Sequence, residues 1–287
     1  MIDFRLRTFM TVWEEKSFTR ASQKLCITQS AVSQHIKMLE SQVGKKLFNY
    51  ESRTLTLTDA GQLLYRYAVT AWSDGLKTLE NISRLEDHPL VRIGATRSIG
   101  AYLLPELLVS YMHRHPATEL TVSVENTRDL LEKLERGLLD FIFLEGIFDQ
   151  DAYNVQVVMK DAFIPLCSPD HRLARGQYSL IDLLSERLIV REVGSGSRAV
   201  LELALQNLNC TIQSFFRKIE LGNIEAIKVL TSRNMGITFL YKQSVMKELQ
   251  EGSLVQINVR DFTMYHDFCF VTLKNSLYQD VYKELVQ

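Results

Sequence analysis

Over the first 60 residues, apolar positions recur at helical spacing. Leu6, Phe9, Met10 and Trp13 fall three and four residues apart and predict one amphipathic helix. A second starts near Ser17, with Phe18, Ala21 and Leu25 on its buried face. Cys26-Ile27-Thr28 leaves room only for a tight turn. A third helix follows at once, capped by Thr28, striped by Val32, Ile36 and Leu39, and stopped by Gly44. From Leu47 to Leu57 the pattern alternates weakly and carries threonines, which predicts a small hairpin with Glu51-Ser52 near its tip.

A long helical pattern then runs from Asp59 to about Leu85, capped by Thr58 and free of proline. Ala60, Leu64, Tyr67 or Ala68, Ala71, Trp72, Leu79 and Ile82 form its stripe. At ~1.5 Å per residue the helix spans roughly 40 Å, longer than a small head needs, so it is expected to pair with a second copy. Asp87-His88-Pro89 ends it.

Beyond that point short β-rich runs alternate with helices. Strands are expected at 91–95, 120–124, 141–144, 163–167, 188–190, 237–240 and 268–273. Helices are expected at 99–113, 129–136, 197–208, 224–232 and 277–286. Such alternation predicts βαβ units on a parallel sheet. The expected organisation is a head over 1–58, a linker helix over 59–88 and an α/β domain over 89–287. Within the α/β domain, one lobe takes about 89–162 and 263–287, and the other about 163–262.

Composition excludes several classes. The chain has 287 residues, 46% hydrophobic and 23% charged, which is ordinary for a folded globular protein. No run reaches the ~18–20 apolar residues of a membrane span. The N-terminus lacks a basic segment followed by an apolar one, so a cytoplasmic protein without a membrane partner is expected. Cys26, Cys167, Cys210 and Cys269 show no CxxC spacing, and neither a metal site nor a cofactor is expected. The formal net charge is −1, but residues 1–57 carry nine basic and five acidic residues, a balance of +4 that leaves −5 for the remainder. A basic head suits an anionic partner.

Two short helices joined by a three-residue turn make a helix-turn-helix. Gln29, Ser30, Ser33 and Gln34 lie on the outer face of the second helix. They are small or amide-bearing, as a helix entering the major groove requires. Thr28, Lys37, Arg20 and Lys24 are placed for phosphates, and Arg53 at the hairpin for the minor groove. The competing reading is a helical hairpin whose polar face is merely solvated.

The runs Phe18 to Leu25 and Ile27 to Ser33 resemble the N-terminal signature of LysR-type transcriptional regulators. So do Ile36 to Glu40, Gly44, Leu47-Phe48, Arg53 and Leu57 to Gly61. The resemblance is dense over about 65 residues, and the domain order fits the remainder. It implies a winged helix-turn-helix, a dimerising linker helix and a two-lobed α/β domain, like a type 2 periplasmic binding protein, that senses a small molecule. It further implies double-stranded DNA as partner, at a near-palindromic operator, and a homodimer or homotetramer. Two positions depart from the pattern: Tyr50 stands where the family often has Arg, and Ser22 where it often has Ala. Within the family, Gly94 to Pro105 and Arg191 to Arg198 look most like regulators of sulfur assimilation and carbon fixation.

Turns at the C-terminal ends of parallel strands make ligand clefts. One such turn is Thr96-Arg97-Ser98-Ile99-Gly100, and a second, Gly194 to Arg198, brings Ser195, Ser197 and Arg198. Hydroxyls, helix amides and the two arginines point to a small anionic effector. Asn126, Thr127, Glu145, Gly222, Asn223 and Thr238, at other strand ends, are secondary candidates. His113 and His115 do not share a helix face, and Cys210 lies outside the stretch where redox-sensing relatives carry cysteine. The competing function is an enzyme on the two-lobed scaffold with an appended head. It lacks Gly-x-Ser-x-Gly, His-Glu-x-x-His and paired carboxylates.

Overall fold

The computed structural model describes residues 3–51, 54–85, 89–280 and 282–283. The head is three helices and a hairpin: α1 (Phe4–Glu15), α2 (Phe18–Leu25), α3 (Gln29–Val43), β1 (Phe48–Glu51) and β2 (Thr54–Leu57). Its helices begin where short polar side chains accept the orphan N–H groups of the first turn. Asp3 accepts from Arg5, Ser17 from Arg20 and Thr28 from Ala31. Gly44 ends α3 at φ 70°, the left-handed conformation that glycine adopts without strain. Ser22 is buried, and its hydroxyl donates to Thr19 O at 2.8 Å, so the larger side chain adds no unpaired polar group. β1 and β2 pair antiparallel with Phe48 opposite Leu57.

Helix α4 (Asp59–Ser83) starts at Thr58, whose hydroxyl accepts from Gly61 N. A Cβ at Gly61 would lie 2.1 Å from Leu47 O, so only glycine lets the helix meet the wing here. One apolar cluster runs from Phe9 and Leu47 in the head, through Ala68 and Val69, to Leu130 and Ile142 of the α/β domain. The stripe on α4 is therefore divided. Leu64, Ala71 and Trp72 pack within the chain, while Tyr67, Leu79 and Ile82 stay exposed, as do Leu63 beside the stripe and Leu85 beyond the helix. A polar seam fastens the same helix to the α/β domain. Asp74 accepts from Ser276 Oγ and Leu277 N, Thr78 meets the Tyr278 hydroxyl at 2.9 Å, and Lys77 donates to Leu90 O and Asp140.

The α/β domain contains β3 (Leu90–Thr96), α5 (Arg97–Tyr102), α6 (Leu104–Arg114), β4 (Glu119–Glu125), α7 (Thr127–Glu135), β5 (Phe141–Leu144) and β6 (Tyr153–Cys167). It continues with β7 (Arg187–Arg191), α8 (Gly196–Gln206), β8 (Arg217–Leu221), α9 (Ile224–Ser232), β9 (Ile237–Tyr241), α10 (Met246–Glu251), β10 (Val255–Gln256) and β11 (Met264–Leu273). The strand order is β4-β3-β5-β11-β6-β9-β7-β8, with β10 on β6. Parallel pairing holds within each half, β3 with β4 and β5, and β7 with β8 and β9. The long strands β6 and β11 run antiparallel from Tyr153 opposite Leu273 to Phe163 opposite Met264, and join the halves.

Several expectations change. The sheet is mixed and not parallel throughout, because β6 and β11 cross between the halves and pair antiparallel with each other and with β9 and β5. The helix expected over 99–113 is two, broken at Leu103, because Pro105 near the start of α6 cannot donate to the preceding turn. The strand expected at 163–167 begins ten residues earlier, and β8 was not foreseen. Of the helix expected over 277–286, residues 277–280 form turns instead, and 281 and 284–287 lie outside the described residues.

Candidate functional site

On the head, α3 places Gln29, Ser30, Gln34 and Lys37 in solvent along one face, with Ser33 half-buried among them. The apolar side, Val32, Ile36 and Leu39, is buried. A groove of about 400 Å³ separates this helix from the wing and is lined by Ser33, Lys37, Lys46 and Tyr50. Glu40 sets its width by accepting from Leu47 N and Lys46 Nζ. Lys46 and Tyr50 are highly exposed there. The sequence reading passed over Lys46 because its position beside α3 depends on how the wing packs. Thr28 works as a cap and also meets Ser30 Oγ at 2.9 Å. Arg20 turns back to donate to Glu15 O, and Lys24 pairs with Glu14 and Glu15, so neither is aimed at the groove. Arg53 lies outside the described residues.

In the α/β domain the ends of β3, β5 and β7 meet at a small cavity. Thr96, Arg97, Asn126, Thr127, Glu145, Ser195 and Gly196 line it, as the sequence suggested, and so do Glu125, Arg191 and Glu192. The cavity holds about 10 Å³, room for roughly one water. The halves touch across it. Gly146 has φ +97°, and a Cβ built on it would lie 3.1 Å from Gly196 Cα, so glycine at both turns permits backbone contact. Ser98 and Ser197 are buried beside the cavity but do not line it; the Ser197 hydroxyl meets Ser195 Oγ at 3.0 Å. The Ile99 side chain is fully buried in core, and Gly100 lets α5 pack on Val124.

Other candidates have structural partners. Asn126 and Asn223 cap α7 and α9, and Thr238 donates to Ile189 O. The Arg198 guanidinium donates to Glu202, Glu220 and Arg191 O. Arg97 crosses between the halves, with Nη1 2.7 Å from Gly222 O and 2.9 Å from Glu192. Glu145 is the most perturbed carboxyl of the group. Burial pushes it up to about 7, against the opposing pull of Ser98's hydrogen bond and the Arg191 charge, and Thr96 also donates to it.

Comparison with known proteins assigns these two regions. The family model described as "Bacterial regulatory helix-turn-helix protein, lysR family" matches residues 4–62, and "LysR substrate binding domain" matches residues 85–287. The chain belongs to the LysR family of transcription regulators. Like other members it is a DNA-binding regulator with an effector-binding domain, and not an enzyme.

Relatives of this LysR-family regulator include the Escherichia coli K12 protein named "Uncharacterized HTH-type transcriptional regulator YeiE". It is 32% identical over 255 residues, covering 89% of this chain and 85% of that one. The "Probable RuBisCO transcriptional regulator" of Cyanidioschyzon merolae is 28% identical over 282 residues, covering 96% and 90%. Among solved structures, the regulatory domain of Synechocystis CcmR "in complex with 2-PG" superposes with TM-score 0.62 at 21% identity, covering 69% of this chain and 95% of that one.

No helix among the described residues is long and apolar enough to cross a membrane. No group of three or more His, Cys, Asp and Glu there could hold a metal. Cys26 is exposed, Cys210 half-buried, and Cys167 and Cys269 buried; all four are free thiols.

Proposed function

We propose that this regulator works in the cytoplasm as a homodimer or homotetramer and reads a near-palindromic operator. Gln29, Ser30, Ser33 and Gln34 would contact base edges, with Lys37 on a phosphate. In this reading the chain divides at 58 and 88 into head, linker helix and two-lobed effector domain. A small anion, from sulfur or carbon metabolism, binds between the lobes.

One observation carries the effector reading: two arginines, Arg97 and Arg191, come to one polar cavity from opposite halves of the sheet. The charge comes from these side chains. The six-residue helix α5 supplies little dipole of its own. Because the cavity admits about one water, a ligand must bind an opened form, and the two forms differ in how the halves meet. Helix α4 is fastened to one half by Asp74 and Lys77, so a change in that meeting is passed to the heads.

Titration of the full chain with a panel of small anions and neutral analogues, by calorimetry and by operator binding, tests this. The expected result is binding of anions alone, lost in Thr96→Val with Ser195→Ala while basal operator binding persists. Binding of neutral or cationic compounds only would refute it.

A further inference from the structure

Arg191 ends β7 and is 5% exposed, yet its guanidinium is taken by the next residue in the chain. Its Nε lies 2.8 Å from one carboxylate oxygen of Glu192, and its Nη2 lies 3.1 Å from the other. Arg97, from the opposite half, brings Nη1 to 2.9 Å of that same carboxylate. One carboxylate thus bridges two guanidiniums across the cleft, the forked geometry by which arginines hold oxyanions. Burial pushes Glu192 up, but Arg191's hydrogen bonds and charge, with Arg97 behind them, leave it below the usual carboxylate range. Around this patch the cavity wall offers Thr96, Ser195 and Thr127; the Thr127 hydroxyl is buried with no hydrogen-bond partner among the described residues.

We infer that Glu192 is a built-in stand-in for the effector. Its carboxylate occupies the oxyanion position between Arg97 and Arg191 and latches the cleft shut, and an incoming oxyanion must displace it. This inference rests on the anionic-effector reading above. The Glu192 side chain is 26% exposed and can swing to water, whereas Arg191 is held in the wall and stays. The arriving ligand exchanges one ion pair for another, so its affinity is set by the difference. The internal carboxylate then sets the concentration at which the switch responds. The ligand class is a small molecule bearing a carboxylate, phosphate or sulfate.

The test is calorimetric titration of the full chain with inorganic sulfate, inorganic phosphate and acetate, which separates the three oxyanion types. Thermal melts confirm that each variant is folded. Glu192→Gln should bind its preferred anion about tenfold more tightly than wild type, and Arg191→Gln should not bind it. Glu192→Asp, which withdraws the carboxylate by one methylene, should fall between wild type and Glu192→Gln; if Glu192→Gln does not fold, this variant carries the test. Unchanged or weaker binding in the Glu192 variants, with binding still lost in Arg191→Gln, overturns the stand-in and leaves the anionic reading intact. If no variant binds any of the three anions, or if Arg191→Gln binds as wild type does, both fall.

Discussion

The ammonium of Lys77 lies 3.0 Å from the carboxylate of Asp140, and both side chains are at most 10% exposed. The first residue sits on the linker helix and the second just before β5, so this ion pair joins two regions 63 residues apart in sequence. Asp140 also accepts from Arg92 N at 2.7 Å, and Lys77 donates to Leu90 O. Removing one partner of a buried pair leaves the other charge unpaired. Lys77→Met should therefore cost about 3 kcal/mol in urea unfolding, and the operator response to effector should weaken. A loss indistinguishable from zero would mean that the seam does not hold α4.

Glu145 makes stability depend on pH in a stated direction. Its carboxyl is raised to about 7 in the folded chain, from an ordinary 4.5. Arg191 and Tyr241 are the charged and titratable groups coupled to it, and Glu125, Arg97 and Glu192 line the same cavity. Between pH 4.5 and 7 the folded state keeps a proton that the unfolded state has released. The contribution is therefore fully present below pH 4.5 and is lost as pH rises through 7, on the order of 3 kcal/mol in all. Glu145→Gln, which cannot ionise, should gain on wild type across that window. Urea titrations at pH 5, 6, 7 and 8 that show a constant difference would contradict this.

On DNA, Gln34→Ala should cost on the order of 1–3 kcal/mol at the specific site and little on random sequence. Lys37→Ala should weaken both and flatten the salt dependence by about one counterion. Equal losses for Gln34→Ala on both DNAs would remove Gln34 from base reading.

Leu63, Tyr67 and Ile82 remain 70%, 63% and 58% exposed on α4, spread over about 100° of one side of the helix. If this face pairs two copies, Leu63→Glu with Ile82→Glu should give monomers with poor operator affinity. Sedimentation that shows an unchanged assembly would place the interface elsewhere.

Local chemistry made much of this protein legible from its residues. Ser17, Thr28 and Thr58 cap helices, Gly44 ends one, and 3.6-residue and twofold periods separate head, linker and sheet, because each signal acts over a few neighbouring positions. The exposed polar face of α3 followed for the same reason: Val32, Ile36 and Leu39 must be buried, so Gln29, Ser30 and Gln34 cannot be. What only the tertiary structure decided lies in pairings across the chain. β8 carries Arg217, Lys218 and Glu220, and it is a strand because β7 hydrogen-bonds to it, not because of its apolar content. Arg198 reads as an anion ligand until Glu202 and Glu220 are seen to hold it. Glu145 could be read from the sequence only as a residue at a strand end, and Arg191 and Glu192 only as the start of a stretch of resemblance. Their burial, charge state and mutual distances arise from the convergence of β5, β7 and the start of α5, segments separated by up to about 100 residues. A carboxyl shifts to about 7 through loss of water and nearby charge, both set by chain segments remote in sequence. The linker helix obeyed the same division. Its stripe could be counted from the sequence, but which residues face the body and which face solvent depended on where α1 and α7 packed against it.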